Sequence, residues 1–157
     1  MKLSFSLVNT IILTALLSNT AMATETPDKF KIAKIKKSAG FQSSTVKAYN
    51  DNMALCVSYL TDTTNSFSDK ACTKAVSIIE SINLDNNSKV NYFKSLSYSN
   101  RAISKYFQGD NKGALADLSN AILIDSNTIT KSNFALIKEL SLEENTLLET
   151  QSSEVSD

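Results

Sequence analysis

From residue 43 to residue 149 the apolar positions recur at steps of three and four, the spacing that gathers side chains on one face of an α-helix. A first helix is predicted from about Thr45 to Leu60, with Val46, Tyr49, Met53, Ala54, Cys56, Val57 and Leu60 on its apolar side, and Ser43 or Ser44 as its cap. The polar stretch Asp62 to Ser68 interrupts the pattern. It resumes from Asp69 to Ile82 with Ala71, Cys72, Ala75, Val76, Ile78, Ile79 and Ile82, which predicts an antiparallel hairpin. A third helix is expected from about Val90 to Phe107 (Val90, Phe93, Leu96, Ile103, Tyr106, Phe107) and a fourth from Lys112 to Ile124 (Ala114, Leu115, Leu118, Ala121, Ile122, Ile124), folded back about Gly109-Asp110. A last helix should begin near Ile129 or Lys131 and carry Phe134, Ala135, Ile137 and Leu140, with Leu147 and Leu148 further on. The class this predicts is all-α. Neither hairpin can bury its own apolar faces alone, so the elements should form one domain over 43–149.

The stretch Tyr98 to Asn127, YSNRAISKYFQGDNKGALADLSNAILIDSN, resembles a tetratricopeptide repeat. Ala114, Leu118 and Ala121 meet the pattern of the second helix, and Gly109-Asp110 stands where such repeats turn. Arg101, Lys105 and Ser126 depart from it, replacing a leucine, a tyrosine and a proline. With Ala71-Cys72-Thr73-Lys74-Ala75-Val76 upstream, the chain is similar to small exported bacterial tetratricopeptide-repeat proteins. LDNN at Leu84 and IDSN at Ile124 lie 40 residues apart against about 34 for a standard repeat, so the first hairpin matches only in part. The resemblance implies a short array of antiparallel helical hairpins closed by a C-terminal capping helix. It also implies a protein or peptide partner on the surface formed by the first helix of each repeat, through Ser99, Asn100, Ile103, Tyr106 and Phe107, with Asn133 and Ile137 on the capping helix. Self-association would extend that surface. The competing reading makes Asn100 and Arg101 structural, bonded to the neighbouring helix, and sends Ile103, Tyr106 and Phe107 into the core.

Residues 1–23 open with Lys2, continue through an apolar run from Leu7 to Leu17 and end at Ala21-Met22-Ala23, the layout of a cleaved signal peptide. Export is therefore expected, to the periplasm of a Gram-negative bacterium on the family resemblance, or by secretion. Residues 24–42 read as a basic, partly flexible leader, and 150–157, with no packing signal, as a disordered tail.

Sixteen basic residues balance sixteen acidic ones, which recommends no nucleic acid as partner. Lys29, Lys31, Lys34, Lys36 and Lys37 nevertheless crowd the leader. One reading recruits the protein weakly to an anionic membrane or cell-wall surface; the other is a solvated leader loosely docked through Phe30 and Ile35.

The only cysteines, Cys56 and Cys72, fall near facing ends of the first two helices. In an oxidising compartment they are expected to form a disulfide, against free buried thiols or a reactive pair. The chain has no histidine, so the usual general base and imidazole metal ligand are missing, and neither a metal nor a cofactor is expected. Asp110, Asp117 and Asp125 cluster in sequence, but Asp110 belongs to the turn, the repeat resemblance implies that Asp117 faces the outer side of its helix, and Asp125 sits at that helix's end, settings that give no carboxylate the raised pKa an acid catalyst needs. The expected activity is binding, not catalysis.

Overall fold

A computed structural model describes residues 29–35, 43–62, 68–82 and 87–154. The signal-peptide reading of residues 1–23 lies outside them. Among the described residues there are five helices: α1 (Ser44–Thr61), α2 (Ser68–Ser81), α3 (Ser88–Phe107), α4 (Asn111–Ile124) and α5 (Thr128–Glu154).

Local chemistry sets the boundaries. Ser43 caps α1 by accepting from the Val46 amide at 3.2 Å, and Asn87 caps α3 by accepting from Lys89 and Val90. Gly109 takes a φ of 80°, a left-handed conformation open to glycine, and Asp110 then caps α4 through the Gly113 amide at 2.9 Å. Asn127 starts α5 by accepting from Ile129 and Thr130, while its amide group donates to Ser95 of α3 and so ties the α5 start to the preceding hairpin. From Thr128 onward there is neither glycine nor proline to stop the helix. Consequently α5 continues to Glu154, past Thr150, where the sequence pattern suggested an unpacked tail.

The helices pack as two hairpins, α1 on α2 and α3 on α4, with α5 covering the second; α3 is central and touches the other four. Two apolar clusters result. One joins Cys56, Leu60 and Cys72 to Ile103, Leu118, Ile137 and Leu140; the other joins Tyr49, Met53, Ala75, Ile79 and Leu96. Cys56 and Cys72 form a disulfide across the first hairpin, with their Cα atoms 4.7 Å apart. No helix among the described residues is long and apolar enough to cross a membrane.

Candidate functional site

Polar side chains buried along α3 and α5 define the site. A run of small hydroxyls, Ser95, Ser97, Ser99 and Ser104, lies inside the fold together with Asn100, Thr130 and Asn133. Such groups are costly to bury unless each finds a hydrogen bond. Ser97 pairs with the Tyr49 hydroxyl at 2.9 Å, Ser104 with Ser68 at 2.7 Å, and Ser99 accepts from Asn133 at 2.9 Å. Burial at this position pushes the Tyr49 phenol up to about 12, against a smaller opposing effect of the Ser97 bond.

The two asparagines are satisfied differently. Asn100 accepts the Ala33 backbone N–H at 2.9 Å and donates to the Ala33 carbonyl at 3.0 Å. Asn133 does the same for Lys31, at 2.9 Å and 3.0 Å. Each amide thus holds both backbone groups of one residue, as a neighbouring β-strand would, and the two residues held are separated by one. Residues 29–35 lie across α3 and α5 and run antiparallel to α3. Phe30 meets Tyr106 and Phe107 near the C-terminal end of α3, at ring separations of 5.5 Å and 5.3 Å. Ala33 follows at Asn100, and Ile35 packs beside the cluster that includes Phe93. A tight turn in which the Ile32 amide bonds the Phe30 carbonyl shifts the strand alternation, so Phe30 and Ala33 both point inward.

Residues 29–35 of the leader are therefore gripped, not loosely docked and solvated. Their hold comes from Phe30, Ala33 and two backbone clamps, with Ile35 only partly buried. Phe30 and Ala33, which would supply apolar area to a lipid surface, are inside the protein. Of the leader lysines, Lys31 donates to Ser132 at 2.8 Å, Lys29 and Lys34 are exposed, and Lys36 and Lys37 lie outside the described residues.

Ser99, Asn100, Ile103, Asn133 and Ile137 are fully buried with the leader in place; Tyr106 is half-buried and Phe107 remains 40% exposed. The structure brings Asn100, Asn133, Ser99, Tyr106 and Phe107 together around one extended segment. Ile103 and Ile137 belong to the apolar cluster that also holds Phe30. Ala33 and Ser132 were not among the residues picked out from the sequence, and Phe30 was read only as a loose docking point of the leader. A signal was present in Ser99-Asn100-Arg101-Ala102 and Ser132-Asn133-Phe134-Ala135, one S-N-x-A pattern stated twice 33 residues apart.

Arg101 takes the structural role. Its guanidinium donates to both Asp117 carboxylate oxygens at 2.7 Å, and Lys105, one turn on, approaches the same carboxylate at 3.0 Å. Asp117 therefore faces α3 and is buried, which corrects its placement on the outer side of α4. Two cations a turn apart on α3 compensate it there. The bond to Asp117 raises the Arg101 pKa, outweighing burial. Arg101 also stacks 5.0 Å from the Tyr98 ring, whose hydroxyl donates to Glu80; burial first, and that bond second, push Tyr98 up to about 12. Among the described residues, no group of three Cys, Asp or Glu side chains is placed to hold a metal ion. No family model, curated protein or solved structure matches this chain.

Proposed function

We propose that this chain is an exported, non-enzymatic protein-interaction module, related in plan to tetratricopeptide-repeat proteins, whose α3–α5 groove holds an extended protein segment for a partner in the cell envelope. One observation carries the reading. Two buried asparagine amides each use a donor and an acceptor on the backbone of one residue of an extended strand. Contacts of this kind read conformation and leave side chains free to vary, which is how a preformed groove recognises a segment of chain. The helices supply the rigidity, so little ordering cost falls on the groove itself. The repeated S-N-x-A pattern, once on α3 and once on α5, agrees with a helical-repeat origin for the two clamps.

The test is differential capture from cross-linked envelope, comparing the wild-type chain with a variant carrying Asn100→Leu and Asn133→Leu. A protein retained by the wild type and lost from the folded variant is the expected result. Identical captured sets, or none that reproduce, would overturn the proposal.

A further inference from the structure

The groove's visible occupant is part of the same chain. Two features separate residues 29–35 from an ordinary piece of core. Their backbone hydrogen bonds to the helices are made by the side chains of Asn100 and Asn133, so the same four bonds are open to any strand that follows the same path. Their attachment to α1 is through residues 36–42, a connection long enough for the segment to leave its seat without unfolding a helix.

We infer that the leader is an internal ligand, and that the partner's segment replaces it strand for strand. This rests on the reading of the groove as a segment-binding site and adds what the segment must look like. Position 30 is filled by an aromatic ring, edge-on to Phe107 and tilted against Tyr106. Position 31 is held through its backbone by Asn133, and its exposed side chain makes one surface bond, to Ser132, that many polar residues could replace or forgo. Position 32 is a half-buried aliphatic. Position 33 is buried in the cluster of Tyr49, Met53 and Leu96, beside the Asn100 clamp, where a side chain larger than alanine meets packed neighbours. The groove therefore selects an aromatic residue followed, after one free position, by an aliphatic residue and then alanine. The partner is a protein with such a segment, able to follow the same backbone path with its tight turn between positions 30 and 32.

Tethering sets the competition. A ligand joined by a connection of a few residues is present at an effective concentration on the order of millimolar, so the leader depresses the apparent affinity for any free segment of similar strength. Releasing it should restore that affinity.

The probe is a fluorescein-labelled peptide with the leader's own sequence, KFKIAKI, titrated against the full chain by anisotropy. Ala33→Asp places a charge in an apolar seat and should expel the leader while leaving every helix residue intact; Phe30→Ala is the second variant. The expected result is helix content like the wild type, at least a tenfold gain in peptide affinity over the wild type, and loss of that gain when Asn100→Leu and Asn133→Leu are added. A folded, leader-released chain that binds no peptide overturns both this inference and the segment-binding reading. Equal affinity in wild type and released variant overturns only the inference, since the groove then binds without competition from the leader. A wild-type dimer that Ala33→Asp converts to monomer makes a second copy the occupant, and also overturns it. Unfolding of both variants would make the leader a fixed part of the core, with the same consequence.

Discussion

At Gly109 a single backbone angle decides whether the second hairpin closes. With a φ of 80° and no atom within 4 Å of where a Cβ would sit, the position has space for a side chain but not the conformation for one. Replacing Gly109 with valine should therefore cost about 1–2 kcal/mol from left-handed strain alone. Asparagine, which tolerates that region better, should cost less, and urea denaturation of the two variants checks the order. Tyr49 makes a second residue-scale prediction. Below pH 10 its phenol is protonated in folded and unfolded chains alike, so its contribution to stability is complete. Between 10 and about 12 the unfolded chain alone gives up the proton, and stability falls as pH rises, by about 1.4 kcal/mol per pH unit for one such group. Denaturation midpoints for Tyr49→Phe should lose that part of the decline.

Between elements, the α3–α4 contact depends on Asp117. Removing one partner of a buried ion pair leaves the other charges uncompensated, which typically costs about 3–5 kcal/mol. Asp117→Ala should fall in that range, near its lower end because Arg101 and Lys105 reach solvent in part. A loss under about 1 kcal/mol by chemical denaturation would show the network to be dispensable. The same contact marks the limit of what the sequence discloses. Apolar periodicity located the five helices because burial of Leu, Ile and Val leaves a regular trace, and turn and cap chemistry marked Gly109-Asp110 and narrowed the α1 cap to Ser43 or Ser44, of which Ser43 serves. The resemblance to a repeat placed Asp117 on the outer side of α4, and only the tertiary placement of Arg101 and Lys105 reverses this. The polar seam was hidden for a related reason. Ser95, Ser97, Ser99 and Asn100 read as surface residues in a one-dimensional pattern, yet their small size lets elements approach closely and their partners come from 32 to 67 positions away or from the adjoining turn of helix. The resemblance to a repeat family brought Asn100 and Asn133 forward as binding residues; it could not indicate that residues 29–35 of the same chain lie between them.

In the molecule as a whole, the first hairpin is secured covalently and the second by α5. The Cys56–Cys72 bond closes a loop of sequence separation 16, for which chain entropy predicts a stabilisation of about 3 kcal/mol. Guanidinium denaturation with and without reductant should show a midpoint shift of that size, with α3 and α4 retaining their packing at low denaturant. The leader's attachments have a different character, because they join positions 67 and 102 apart in sequence. Translation runs from the N-terminus, so residues 29–35 are made before either clamp exists. Asn133 arrives a full hundred residues after Lys31, and the earliest described part of the chain must wait for the latest helix before it has a seat. Throughout synthesis, this segment is left in the hands of whatever else can hold an extended strand.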